Sequence, residues 1–245
     1  MKKILRKWLK KFGFELFKAN ATNSSLHQLK EILDLLSIDI VFDIGANEGQ
    51  FAKEIRDIGY KGKIVSFEPL SSARQKLLKA SKKDNKWIIH NQLAIGNYEG
   101  EIEINISGNS VSSSILPMLD SHKFAAVESS YVGSEVVPMS KLDSLINQYI
   151  EVNSNLFLKI DTQGYEWQVI EGAPESLKKA KGLICELSLV PLYSGQKLWR
   201  EILDFLEMEG FSLWAIQKGF TDPRTGQSLQ IDAIFIKKDL IDYLI

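Results

Sequence analysis

Val41-Phe42-Asp43-Ile44-Gly45-Ala46-Asn47-Glu48-Gly49-Gln50 runs directly into Phe51-Ala52-Lys53-Glu54. The apolar opening reads as a buried strand and the closing residues as a helix. Gly45 and Gly49 let a ligand come close to the backbone, and the helix start presents free N–H groups. In an open α/β sheet this is the carboxyl end of a strand, where ligands sit. The spacing bears on which ligand. A dinucleotide fingerprint reads G-x-G-x-x-G, but here the two glycines are four apart, and neither Asn47 nor Phe51 supplies the missing one. Asp43 brings a carboxylate near the turn, which would repel a pyrophosphate but could support the amino end of S-adenosylmethionine, directly or through water. A structural turn without ligand is the competing reading.

Working outward, apolar runs alternate with helical periodicity. Strands are expected at 39–43, 63–67, 87–91, 155–161, 182–187, 211–216 and 231–236, and helices near 48–58, 71–82, 141–149, 165–179 and 196–209. Such alternation implies parallel strands joined by right-handed crossovers. The last two strands are joined by a turn-rich stretch containing Gly219, Pro223 and Gly226, so this pair should be antiparallel. The expected fold is therefore α/β, a Rossmann-like sheet of seven mostly parallel strands with a C-terminal antiparallel hairpin, preceded by N-terminal helices. That sheet suits class I methyltransferases better than dehydrogenases. A hairpin of 101–106 with 134–138 interrupts the alternation and flanks a loop at 108–117. Domain organisation reads as an N-terminal extension over 1–37 and one catalytic domain over 38–245.

The second strand ends in Glu68-Pro69, and a carboxylate there can accept both ribose hydroxyls, although Glu68 could instead cap the helix near Ser71. After the third strand, Asn91-Gln92-Leu93-Ala94-Ile95-Gly96 lies where an adenine ring would rest. Backbone groups from Gln92 to Ala94 could read the base edge and Leu93 could cover its face. The cofactor set is thus Asp43, Gly45, Ala46, Asn47, Gly49, Glu68, Pro69, Gln92, Leu93 and Ala94.

At this point the residues resemble FkbM-type methyltransferases. Phe42-Asp43-Ile44-Gly45-Ala46-Asn47-Glu48-Gly49, Phe67-Glu68-Pro69, Ala94-Ile95-Gly96, Lys141-Leu142-Asp143 and Leu158-Lys159-Ile160-Asp161-Thr162-Gln163-Gly164-Tyr165-Glu166 occur in that family's order over roughly 38–237. The resemblance implies S-adenosylmethionine as cofactor and O-methylation, often of sugars or polyketide-like products. Many members carry an acid where this chain has Gln163, a departure that bears on acceptor and metal binding.

Methyl transfer from a sulfonium is an in-line displacement. It needs positioning and, for an alcohol acceptor, a base or a metal to take the proton. Asp161, ending the fourth strand, is the first candidate base, with His90 and Glu186 as alternatives. Asp161 could equally cap the following helix. Glu166, Gln163, Ser112 and Ser113 are candidates for acceptor binding, the serines within a hydroxyl-rich loop, Asn109-Ser110-Val111-Ser112-Ser113-Ser114, that could also be merely flexible. Asp161, Glu166 and Glu186 together could hold Mg²⁺ through oxygens, but they lack a spacing signature, so a metal is not the leading expectation. A nicotinamide oxidoreductase and a non-catalytic nucleoside-binding module are the alternative functions.

Charge is uneven. Residues 1–18 carry Lys2, Lys3, Arg6, Lys7, Lys10, Lys11 and Lys18 against Glu15 alone, a net +6 that leaves −7 for the rest of a chain whose total is −1. The acidic body argues against nucleic-acid binding. Residues 2–18 read as an amphipathic helix with Ile4, Leu5, Trp8, Leu9, Phe12 and Leu16 on one face. It could pack on the domain, on a second subunit or on anionic lipid. The single cysteine, Cys185, allows no intramolecular disulfide. With no run near the roughly 20 apolar residues of a membrane span, a cytoplasmic protein, at most peripheral at the inner membrane face, is expected.

Overall fold

The computed structural model describes residues 8–14 and 18–241. Helix α1 (Ser25–Leu35) leads into β1 (Ile40–Ile44), α2 (Gln50–Asp57), β2 (Lys63–Phe67), α3 (Ser71–Ser81) and β3 (Trp87–Ile89). An insert follows, made of β4 (Ala94–Ile95), β5 (Gly100–Ser107), α4 (Asp120–Ala125) and β6 (Tyr131–Ser140). The main sheet resumes after α5 (Leu142–Leu145) with β7 (Leu156–Ile160), α6 (Glu166–Glu171), α7 (Pro174–Lys179) and β8 (Ala180–Ser188). It ends with α8 (Trp199–Met208), β9 (Phe211–Lys218) and β10 (Gln230–Lys237), after which α9 (Lys238–Ile241) closes the described chain.

The seven-stranded sheet has the order β3-β2-β1-β7-β8-β10-β9. All its pairings are parallel except those of β10, which runs antiparallel to both β8 and β9. β1 and β7 are buried at every position, as expected of central parallel strands covered on both faces. Because side chains alternate along a strand, Ile40, Phe42 and Ile44 pack with Leu142, Val169, Leu177 and Leu206 on one face, whereas Val41 packs with Leu29, Ile32, Ala52 and Ile55 on the other. The sheet is therefore the middle of three layers.

Three expectations change. The helix anticipated over 165–179 is two helices, because Pro174 starts a new one and Gly172 lies so close to Gly96 that a Cβ would stand 1.9 Å from the Gly96 carbonyl oxygen. The helix anticipated over 141–149 is a single turn, α5, followed by a 3-10 turn at Ile146–Gln148. The hairpin is longer than expected and gains a third strand, since Ala94–Ile95 lies parallel to Met139 and Ser140. Of the helix expected over 2–18, residues 8–11 are helical, and 1–7 and 15–17 lie outside the described residues.

Candidate active site

A cavity of about 710 Å³ opens at the carboxyl ends of β1, β2, β7 and β8, between the insert and the start of α1. This is the size of a small-molecule site, and the place where an open α/β sheet binds ligands.

Its first wall is the glycine turn. Gly45 (φ +77°) is obligatory there, because a Cβ would lie 1.8 Å from the Asp161 carbonyl oxygen. The Gly45 and Ala46 N–H groups both donate to the Phe67 carbonyl at 3.1 Å, tying the turn to β2. Glu68, buried at the end of β2, accepts the Asn47 N–H at 2.7 Å and the Leu70 N–H at 2.8 Å, one on each carboxylate oxygen. Burial pushes its pKa up to about 7 against the pull of those two amides. Asn47, in the left-handed region (φ +46°), keeps a buried Oδ1 with no hydrogen-bond partner among the described residues. Ala46, Asn47, Glu68, Pro69, Leu93 and Ala94 all face the cavity. Gly49 lies behind the turn, where a Cβ would strike the Trp87 ring at 2.7 Å. The Gln92 side chain donates to the Pro69 carbonyl at 2.8 Å and to Glu135 at 2.7 Å, so it braces the wall from outside.

Asp43 is not on the wall. It is fully buried, accepts from Ser66 Oγ at 3.2 Å and lies 3.3 Å from Lys159 Nζ. Alternation along β1 points it beneath the α1–α2 layer, so direct support of a bound amino group falls away. Its partner is a residue that sequence reasoning missed. Lys159 Nζ donates to the Gly45 carbonyl at 2.8 Å and lies 3.4 Å from Asp161, linking β1, the turn and β7. Burial alone would lower the Lys159 pKa, but Asp161 and Asp43 outweigh it and hold the amine charged. A lysine inside the apolar run Leu156–Ile160 was the available signal.

The second wall is built around Gln163, which also holds a left-handed backbone (φ +55°). Its amide nitrogen donates to Asp161 at 3.0 Å and Glu186 at 2.9 Å, while its amide oxygen accepts from Tyr193 Oη at 2.9 Å. Gln230 donates to the same Glu186 oxygen at 2.6 Å. Burial, reinforced by Asp161, holds the Glu186 pKa well above the usual carboxylate range, and burial raises nearby Asp232 to about 6. The structure thus unites Asp161, Gln163 and Glu186 and adds Tyr193, Gln230 and Asp232, none of which carries a local sequence signature. Ser112 and Ser113 also reach the cavity. Ser112 Oγ accepts from Asn109 at 3.0 Å and meets His122 Nε2 at 3.2 Å.

Two other expectations are corrected. His90 does not line the cavity. It bonds through Nδ1 to Tyr149 Oη, and its ring packs 5.2 Å from that of Phe67. Glu166 turns into its own loop and accepts from the Thr162 and Gly164 N–H groups at 2.8 and 3.1 Å, with burial pushing its pKa up to about 7. Its role is to shape the segment that carries Gln163. The trio Asp161, Glu166 and Glu186 is consequently not assembled as a cation site. Among the described residues no group of three or more His, Cys, Asp or Glu could hold a metal ion, and the Gln163 amide bridges Asp161 and Glu186.

Comparison with known proteins adds the following. The model of the methyltransferase FkbM domain matches residues 43–213. The 2-O-methyltransferase NoeI of Sinorhizobium fredii is 27% identical over 191 residues, covering 75% of this chain and 78% of that protein. The crystal structure of methyltransferase FkbM from Methylobacillus flagellatus superposes with a TM-score of 0.50 at 12% identity, a likeness of fold alone. It covers 80% of this chain but 43% of that one, so this chain spans less than half of that protein.

Proposed function

The chain belongs to the FkbM methyltransferase family, and from that premise we propose that it transfers a methyl group from S-adenosylmethionine to a hydroxyl of a sugar, glycan or other small natural product. Family membership replaces the oxidoreductase reading. One observation carries the nucleoside half of that cofactor, while the glycine turn chooses among nucleosides. Glu68 faces the cavity with one backbone N–H on each oxygen and lone pairs left over, which suits the two hydroxyls of a ribose. The unpartnered Asn47 Oδ1 beside it fits the same ligand. When bound, the cofactor supplies an electrophilic methyl group.

The protein's own contribution is positioning and proton handling. Asp161 is the cavity carboxylate that suits a base, with a side chain 36% exposed and held by Lys159 and Gln163. Glu186, its carboxyl pushed up by burial and held by the Gln163 and Gln230 amides, serves as a fixed part of the acceptor wall. Ser112 and Ser113 offer hydroxyls to an acceptor on the insert side. A 2-O-methyltransferase among the relatives supports oxygen as the acceptor atom.

Calorimetry with S-adenosylhomocysteine and turnover on a panel of glycosides test this reading. Wild-type protein should bind, and Glu68→Gln should weaken binding roughly 10- to 100-fold, the worth of the two ribose hydrogen bonds. Asp161→Asn should abolish turnover and leave that affinity within a few-fold. Absence of binding would overturn the cofactor assignment, and unchanged turnover in Asp161→Asn would overturn the base.

A further inference from the structure

The described part of the N-terminal helix leaves its apolar side uncovered. Trp8, Phe12 and Phe14 are 58%, 63% and 65% exposed, and the Trp8 and Phe12 rings lie 4.8 Å apart. Two paired aromatic rings open to water, with Phe14 exposed two residues further on, form an unusual surface that asks for an apolar partner. The sequence around them is cationic, with seven Lys or Arg in the first 18 residues against one Glu, and Lys11 and Lys18 are exposed. Aromatic residues on one side and Lys or Arg on the other are the composition of a helix lying in a bilayer interface, with rings at headgroup depth and cations over anionic lipid. The rest of the chain has a net charge of −7, so such a surface attracts this segment and repels the body.

Residues 18–23, just before α1, are held by their own hydrogen bonds. Asn23 Nδ2 donates to the Lys18 carbonyl at 3.1 Å, the Asn20 N–H donates to Asn23 Oδ1 at 3.0 Å, and the Thr22 N–H donates to Asn20 Oδ1 at 2.9 Å. This knot, formed within residues 18–23, leads into α1, whose start, through Ser25, Leu26 and Leu29, lines the main cavity. We propose that residues 8–14 are an interfacial anchor for an anionic bilayer, tethered at the α1 rim of the cavity. A single amphipathic anchor gives reversible, salt-sensitive attachment.

Sedimentation of the full chain with sucrose-loaded vesicles tests the proposal without any cofactor. The vesicles are equal parts phosphatidylcholine and phosphatidylglycerol, or phosphatidylcholine alone. The full chain should pellet with the anionic vesicles, at least about tenfold more weakly with the neutral ones, and should be released by about 0.5 M salt. Combined Trp8→Ser, Phe12→Ser and Phe14→Ser should lower anionic binding at least about tenfold with an unchanged melting temperature, since all three side chains are exposed. Equal pelleting of the variant and the wild type, or equal affinity for neutral vesicles, would overturn the proposal. So would a dimer in analytical ultracentrifugation that the variant dissociates, which would assign the aromatic face to a second copy.

Discussion

The two walls of the cavity hold their carboxylates in different ways. On the β1–β2 side, Glu68 is fixed by main-chain N–H groups of Asn47 and Leu70, and the turn by the Phe67 carbonyl. On the β7–β8 side, Asp161 and Glu186 are fixed by side chains, Gln163 between them and Gln230 and Tyr193 behind. Main-chain donors cannot be mutated away, so the anchoring of Glu68 survives side-chain changes at Asn47 and Leu70. The second wall depends on a few replaceable amides and a phenol, so it is the part that substitution can retune toward a different acceptor. Lys159 touches both walls, through Gly45 on one side and Asp161 on the other.

The strongest test of that division removes the shared residue. Lys159→Met leaves the fully buried Asp43 without its counter-charge and should destabilise the protein by about 3–5 kcal/mol in urea denaturation. A loss below about 1 kcal/mol would mean that the walls stand independently. Next comes a pH dependence. Glu166 is pushed from 4.5 to about 7, so the folded protein keeps a proton that the unfolded chain releases. Its contribution is complete below pH 4.5 and is lost as pH rises through 7, on the order of 3 kcal/mol. Glu166→Gln keeps an acceptor oxygen but has no proton to lose, so its stability relative to wild type should improve between pH 5 and 8. Parallel stability profiles would show that burial does not hold the proton there.

A finer cut separates the walls themselves. Gln163→Leu should cost about 1–3 kcal/mol, because two carboxylates lose a donor and Tyr193 loses an acceptor. Affinity for S-adenosylhomocysteine should hardly change. A large loss of that affinity would erase the distinction between the walls. The smallest effect belongs to His90→Gln, which forfeits one hydrogen bond to Tyr149, about 1 kcal/mol, and should leave turnover within about twofold.

Legibility in the sequence follows the same division. Hydrophobic runs and glycine spacing disclosed the seven strands of the main sheet, its antiparallel end, the turn at Gly45 and the carboxylate at Glu68, because each depends on neighbours within a few residues. Asp43 was placed near the turn correctly, but strand alternation sends its side chain to the opposite face from Ile44, and its pairing with Lys159 spans 116 positions of the chain. Gln163 and Glu186 meet only because β7 and β8 lie side by side. Gln230 joins them only because β10 pairs with β8, and no periodicity encodes such meetings. The one-turn break at Gly172–Pro174 was readable from Pro174. The helix Asp120–Ala125 is six residues long, too short for a periodic stripe.

The place of β10 has a consequence for how the molecule is made. It is the tenth strand along the chain, yet it sits inside the sheet, between β8 and β9. Until residues 230–237 are made, β8 keeps an unpaired edge and β9 has no strand to pair with, an arrangement open to pairing with foreign strands. Closure of the sheet therefore waits on β10. Loss of residues 230–237 would leave β9 without a sheet partner instead of a sheet smaller by one strand.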